Sequence, residues 1–323
     1  MHSEHIQSQA MLPETSEYHI ERLSEENLPD LTALFLAVYG ADSIPPRFPQ
    51  KYATAWAGAS YLGYFAYAAD GTPAAYYGVM PYLLQYGNTT LLSAQSGDTM
   101  THPAHRNKGL FVRLCQLTID LCRETGVQLL FGFPNQNSYP GAIKAGWTVT
   151  ENLDYFTIPV KTFPLVGIVR KFPFLADAYN SYTKGLIARQ TSPGQGIPSS
   201  GLTITTGGVY RNDAYLNYKT YSDTHLLRLK NARAWVKITD TFVIGDIELN
   251  DTSFDEVLHR LKKLAARLGH RRIFFHSSPG TPLHRLFAEQ YAPNPGFATA
   301  FIDLGAGIPL HQLKFTFADI DTF

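Results

Sequence analysis

The sequence predicts a mixed α/β protein made of two consecutive units, each a sheet flanked by helices. Three observations carry this. Hydrophobic periodicity through the first half runs strand, helix, three strands, helix, strand, short helix, strand, ending near residue 160. The second half returns to helix, strand, short helix, strand, which reads as a divergent internal repeat. The 323 residues are 45% hydrophobic and 17% charged, enough apolar content to build such cores.

The first strand is Tyr18 to Leu23, which alternates. Ser24 followed by Glu25 and Glu26 predicts an N-cap, and the helix runs to about Tyr39 with Leu28, Leu31, Leu34, Phe35 and Val38 on one face. Pro45 and Pro46 make the next stretch a loop. Tyr61 to Ala69, Pro73 to Gln85 and Thr89 to Thr101 are strands joined by short turns, so an antiparallel meander is expected. Lys108 to Thr125 is a helix by the spacing of Leu110, Leu114, Leu117, Thr118 and Leu121, closed by Gly126. Val127 to Phe133 is a buried strand, Gly141 to Ala145 a short helix and Thr148 to Pro159 a further strand.

Residues 164 to 189 read as helix with a break at Pro173. Gln190 to Gly201 is rich in Pro, Gly and Ser and reads as a linker. The expected division is a mobile tail over 1–16, a first unit over 17–160, a helical connector and linker over 161–200, and a second unit over 201–323. In that second unit Ala234 to Leu249 gives two strands split near Asp240. Phe254 to Leu268 is an amphipathic helix, followed by a strand at Arg272 to His276, a short helix at Pro282 to Glu289 and a strand at Ala298 to Leu304. The terminal KFTFADIDTF alternates and is expected to dock on the body as a strand.

The 27 Lys and Arg balance the 27 Asp and Glu, which argues against a broad nucleic-acid surface. Cys115 and Cys122 lie seven apart in one helix, roughly 10 Å between Cα atoms, too far for a disulfide. Two reduced thiols suit a cytoplasmic protein. The N-terminus lacks the basic start and apolar run of a secretory signal, and no run of about 18 apolar residues predicts a membrane span.

The chemistry is concentrated in Ser96 to Phe111, SGDTMTHPAHRNKGLF. A strand ends there, a tight turn follows and a helix begins. Turn amides and the first unpaired amides of a helix converge on one spot that suits a phosphate group. Arg106 and Lys108 add charge, and Gly109 permits close approach of a ligand. The same residues are also compatible with an ordinary basic turn. His102 and His105 flank Pro103 but lack the further ligands of a metal set, so no metal site is expected. Asp98 is the one carboxylate of the strand before this turn, either a general base or a strand residue bonded to a neighbouring loop.

Arg106-Asn107-Lys108-Gly109-Leu110-Phe111 resembles the R-x-x-G-x-G/A signature of the GNAT superfamily of acyltransferases, and the element order over residues 17 to 160 matches it. The resemblance implies a GNAT-type mixed sheet flanked by helices, with a second, degenerate GNAT-like unit after it, and acetyl-CoA as acyl donor. It implies that the amides of Arg106, Asn107, Lys108, Gly109, Leu110 and Phe111 hold the pyrophosphate, that Met100 and Thr101 pair with the pantetheine arm, and that Asn135 ends the splayed strand beside it. Phe111 departs from the pattern, standing where Gly or Ala is usual, and has to point away from the pyrophosphate. Many members carry a Tyr general acid four residues before a final Gly-Phe pair. Here that pair is Gly146-Trp147 and the position holds Ala142; Tyr139, three residues earlier, is the substitute candidate, or else a packed turn residue. The run GFPNQNSYPGAIKAGW is similar to GNAT members of bacterial surface-polysaccharide gene clusters, which implies an amino-sugar acceptor.

The function expected is therefore an acetyl-CoA-dependent N-acyltransferase for a small amine. A silent acyl-CoA-binding sensory module and an aminoacyl or peptidyl transferase on a tandem scaffold are the competing classes. The acidic NDTSFDE before the second amphipathic helix predicts no cofactor in the second unit, which would wall the acceptor cleft. Tyr210, Tyr215, Tyr218 and Trp235 are its candidates for stacking on a sugar.

Overall fold

In chain order the elements are β1 (His19–Arg22), α1 (Leu28–Tyr39), α2 (Phe48–Lys51), β2 (Leu62–Tyr67), β3 (Pro73–Tyr86), β4 (Thr89–Thr101), α3 (Leu110–Glu124), β5 (Leu129–Gly132), α4 (Tyr139–Lys144) and β6 (Thr148–Pro159). The connector holds α5 (Leu165–Lys171) and α6 (Ala176–Ala188). Then come β7 (Gly208–Val209), α7 (Asp213–Tyr218), β8 (His225–Leu229), β9 (Ala232–Ile238), β10 (Phe242–Glu248), α8 (Phe254–Leu268), β11 (Arg272–Ser277), α9 (Pro282–Ala288) and β12 (Asn294–Asp303). The computed structural model describes residues 17–323; the expected tail over 1–16 lies outside the described residues.

Most predicted elements form at or near their expected bounds. β2, β3 and β4 pair antiparallel as a meander. The α8 stripe of Phe254, Val257, Leu258, Leu261, Leu264, Ala265 and Leu268 is buried throughout, each large side chain contributing about 2 kcal/mol of apolar transfer. Cys115 and Cys122 are free and buried. The predicted cap of α1 is corrected. Ser24 donates its backbone N–H to Asn27 Oδ1 (2.8 Å) and the helix starts at Leu28, with Pro29 in its first turn. Beyond the two prolines a short helix, α2, was not anticipated.

All strands join one mixed sheet in the order β1-β2-β3-β4-β5-β12-β6-β11-β10-β9-β8, with β7 on β3. Two pairings are parallel, β4 with β5 and β10 with β11, each bridged by a 15-residue helix, α3 or α8. At the centre β12 lies between β5 and β6, and β6 between β12 and β11. Each half thus lends its last strand to the other, and the two predicted units share one continuous sheet.

The helix pair α3 and α4 covers one face of β2 to β5 with Leu62, Val79, Leu110, Leu114, Leu130 and Trp147. On the opposite face α1, α7 and the terminal segment pack Tyr52, Tyr76, Tyr82, Phe131, Phe315 and Phe323. That terminal segment does dock, though not as a strand: Thr316 and Asp319 close a capping box around the turn Phe317–Asp319. Gln190 to Gly201 is irregular but packed. Ser192 N–H donates to the Leu226 carbonyl (2.7 Å), and Ser200 N–H donates to Asp246 Oδ2 (3.1 Å).

Candidate active site

Strands β4 and β5 run together only from Ser93–Leu129 to Ser96–Gly132. β5 then ends while β4 continues to Thr101, so the sheet opens at Gly97. There β4 also bulges. Gly97 pairs with Gly78 and Met100 with Tyr76, so two residues oppose the single Tyr77. Asp98 takes φ +54° in the bulge, which turns its carboxylate towards α2 and the terminal segment. Met100 is buried and Thr101 half-buried, both at the free end of β4.

After β4 the turn Pro103–His105 leads to Asn107 at φ +64° and Gly109 at φ +75°. Gly109 is the N-cap of α3 and the helix carries no side-chain cap hydrogen bond. The opening amides therefore keep their capacity to bind an anion. A Cβ on Gly109 would meet nothing within 4 Å, so the approach to those amides is open. Arg106 and Asn107 are exposed beside it. Lys108 is turned instead to Glu17, with Nζ 2.7 Å from Oε1 and 5.7 Å above the Tyr18 ring.

Phe111 leaves the turn, as its bulk demands. Its ring meets Tyr77 edge to face at 5.2 Å, and a Cβ at Gly141 would stand 2.8 Å from it. Glycine at 141 thus lets Phe111 lock α3 against α4. Leu110 is buried beneath. Asn135 has its side-chain oxygen engaged by the N–H groups of Asn137 (2.9 Å) and Ser138 (3.2 Å). It shapes the start of α4, which accounts for its position without a ligand. Tyr139 is the first residue of α4 and exposed, while Ala142 is buried one turn later.

Asp98 is where sequence reasoning stopped short. Lys51 Nζ lies 2.8 Å from Asp98 Oδ1 and 2.7 Å from Asp321 Oδ2, and the Tyr52 hydroxyl donates to Asp98 Oδ2 (3.2 Å). The Lys51 side chain is 2% exposed, against 9% for Asp98 and 11% for Asp321. Asp321 lies over the opening itself: a Cβ at Gly97 would stand 2.7 Å from its Oδ2. Burial would depress the Lys51 ammonium, but Asp321 and Asp98 outweigh it and hold the pKa above the ordinary lysine value. Burial pushes Asp98 up, Asp321 adds to the rise, and Lys51 pulls it back only in part. Two carboxylates and one ammonium leave the trio one negative charge.

Lys219 is the second buried lysine near the terminal segment. Its Nζ donates to the Ile320 carbonyl (2.7 Å), and Tyr221 donates to the Asp321 carbonyl (2.8 Å). Burial, with no carboxylate bonded to it, lowers Lys219 to about 7. Lys51, Tyr52 and Lys219 fell in stretches without periodicity. For Asp321 the only signal was the run of acids in an otherwise apolar terminus. Of the four proposed sugar-stacking aromatics, Tyr215, Tyr218 and Trp235 are core residues and Tyr210 alone is exposed. A cavity of about 590 Å³ opens beside the β5–α4 loop, lined by Asn135, Gln136, Asn137, Tyr155, His276 and Phe297 among others.

Residues 19–150 match the family model described as an acetyltransferase (GNAT) domain. None of the curated proteins compared with the sequence matches it. Among solved structures, a probable N-acyltransferase from Enterococcus faecalis superposes with a TM-score of 0.58 at 13% identity, over 89% of this chain and 73% of its own. A putative acetyltransferase from Pyrococcus horikoshii gives 0.52 at 12%, over 99% and 98%. The Saccharomyces cerevisiae N-myristoyltransferase, solved with myristoyl-CoA bound, gives 0.55 at 9%, over 92% and 81%. At these identities the structures speak for the fold, and the family model for the sequence. The opened β4–β5 pair with its uncapped α3 thus lies within the segment, residues 19–150, that matches the acetyltransferase (GNAT) domain model.

Proposed function

We propose that the protein is an acyl-CoA-dependent N-acyltransferase that takes acetyl-CoA as donor and a small amine, in particular an amino sugar, as acceptor. The observation that carries this is the uncapped N-terminus of α3 behind an open, left-handed Gly109, at the mouth of the gap between β4 and β5. The opening amides of α3, with Arg106 and Asn107 beside them, would hold the pyrophosphate, and the free edge of β4 at Met100 and Thr101 would pair with the pantetheine arm. A bound acetyl-CoA would supply the acyl group as a thioester. The engagement of Lys108 with Glu17 and of Asn135 with its own turn makes these two the weakest members of the set.

An amine acceptor arrives as an ammonium ion. The net negative trio around Lys51 attracts it, and the Asp98–Asp321 pair takes the proton that must leave before nitrogen can attack. Tyr139 is the proposed donor to the departing thiolate. The amides at 135–137 and the aromatic edges of Tyr155 and Phe297 give the neighbouring cavity a lining that suits a polar ring. We read residues 201–323 as a degenerate GNAT-like unit that donates β12 and the terminal segment to this cleft, with 161–200 as its connector.

Calorimetry with acetyl-CoA, followed by thiol-release assays over simple amines and nucleotide amino sugars, tests the reading. Binding with turnover on an amine is expected. No binding of acetyl-CoA or of any longer acyl-CoA would overturn it. Tight binding without turnover on any acceptor would make the protein an acyl-CoA-binding module.

A further inference from the structure

Residues 160–189 form a hairpin, α5 then α6, laid over the C-terminal end of α8. It is fastened on its inner side. Thr162 Oγ1 donates to the Ala266 carbonyl, and the Tyr179 and Tyr182 hydroxyls donate to the carbonyls of Leu268 (2.7 Å) and Arg267 (3.1 Å). Arg170 pairs with Asp240 at 2.9 Å. These bonds satisfy the last carbonyls of α8 and give the hairpin a defined seat.

Its outer side carries large apolar side chains in the open. Phe163, Phe172 and Phe174 are 68%, 49% and 79% exposed, and they are the exposed phenylalanines among the described residues. α5 has the sequence LVGIVRK, and although it carries four branched aliphatics it buries no residue. Three exposed phenylalanines beside a half-buried aliphatic turn, held on a defined seat, are a standing cost that a partner would remove. Besides the Arg170–Asp240 pair, the same stretch carries Lys161, Lys171, Lys184 and Arg189 against the single acid Asp177, in a chain whose formal net charge is zero.

We propose that this hairpin is a docking element for an anionic lipid surface, with the phenylalanines seated among the acyl chains and the lysines and arginines among the headgroups. Exposed aromatic side chains and half-buried aliphatic ones in a stretch that is otherwise basic are the composition of an element that lies in a bilayer interface. A second copy of the chain fits less well. Isologous contact through this face would bring four cations against four, and protein interface cores are depleted in lysine. No described helix is long and apolar enough to cross a membrane, so the contact is with the surface. This inference stands apart from the acyl-transfer reading, because it uses none of the same residues.

The test is cosedimentation of the full chain with vesicles of phosphatidylcholine alone and of phosphatidylcholine with phosphatidylglycerol, at low and high salt. Binding is expected to the phosphatidylglycerol vesicles, weakening as salt rises. The Phe172→Ser/Phe174→Ser variant should lose about tenfold or more in partitioning, and Lys161→Glu/Lys171→Glu a similar factor. Both sets are exposed, so thermal denaturation should match the parent and separate lost docking from lost folding. Absence of binding to the anionic vesicles, or binding that both variants retain, overturns the proposal. So does self-association in sedimentation equilibrium that the phenylalanine variant abolishes while the parent ignores vesicles.

Discussion

The two parallel crossings of the sheet, β4–α3–β5 and β10–α8–β11, use one backbone device for different ends. Each strand bulges at a Gly-Asp pair, Gly97-Asp98 or Gly245-Asp246. Each Asp faces a cation from elsewhere in the chain that also holds a second Asp from the terminal segment: Lys51 and Asp321 for Asp98, Arg211 and Asp319 for Asp246. In the second crossing all three side chains are 0% exposed, and a Cβ on Gly245 would collide with the Phe323 ring at 2.2 Å. In the first, a carboxylate stands where that ring would be and the carboxylates reach solvent. The helices differ in the same sense. α8 is closed by the Ser253 side chain, which accepts the Glu256 N–H, and has Asp255 and Glu256 in its first turn. α3 opens without a side-chain cap or an acid. A few residues thus separate a crossing proposed to take an anion and an amine from one that is sealed.

The largest expected contrast is in the two buried cations. Arg211→Met leaves Asp246 and Asp319 facing each other without a counter-ion or any route to water. It should cost about 3–5 kcal/mol in chemical denaturation. Lys51→Met leaves Asp98 and Asp321 at the edge of solvent, where one can take up a proton, and should cost less than half as much. Equal losses would remove the distinction between a sealed trio and a working one.

Next comes Gly109→Asp. It forces a side chain into a left-handed conformation and sets a negative charge before the open amides. Acetyl-CoA affinity should fall by about 100-fold or more on the scale of several lost charge-assisted bonds. Circular dichroism should stay unchanged, since the added Cβ meets no neighbour. Retained affinity in calorimetry would remove the cofactor site from this turn.

Removing the proposed base should separate rate from stability. Asp98→Asn should lower turnover about 100-fold with donor affinity kept. Because burial raises the Asp98 pKa, the acid limb of the parent's rate profile should lie above the ordinary carboxylate range, rising with pH as Asp98 ionises. The variant should lose that limb. Asp246→Asn should act on stability alone. A flat parent profile would take Asp98 out of proton transfer. Tyr139→Phe keeps the ring and should cost turnover by a factor of about ten to 100 if the hydroxyl serves the thiolate; a change below threefold would assign it to structure.

Much of this frame is legible in the sequence because it rests on local signals. Thr89–Thr101, Thr148–Pro159 and Phe254–Leu268 form as read, since alternation or a helical stripe decides them within one window. What the sequence could not disclose is long-range. Lys51 meets Asp321 across 270 residues, and no spacing rule reaches that far. The exchange of β6 and β12 between halves is invisible for the same reason: a strand's period says which face is buried and nothing about its neighbour. The stretch at 190–201 misled for a physical cause. Pro, Gly and Ser predict irregular backbone, and it is irregular, but Asp246 recruits Ser200 and Leu226 recruits Ser192. A Cβ on Gly196 would stand 3.0 Å from the Trp235 ring, so small residues there serve close packing.

The smallest expected effect sharpens the comparison most cheaply. Ser253 caps α8 through its hydroxyl, 3.3 Å from the Glu256 nitrogen, and Glu256 is itself held by Arg260 and Lys230. Ser253→Ala removes the acceptor and leaves one helix-terminal N–H to water, which should cost about 1 kcal/mol of stability. It also uncaps α8 in the way α3 is uncapped. If an uncapped helix at the opening of a parallel pair were enough to bind a pyrophosphate, this variant would gain affinity for acetyl-CoA at a second site. It should not, because Asp255 and Glu256 remain in the first turn and their charges oppose an anion there. Calorimetry of Ser253→Ala should therefore return the parent's stoichiometry with a slightly lower melting temperature. A second site in that titration would show that capping alone keeps the second crossing silent, and that the acids and the sealed trio behind them are incidental.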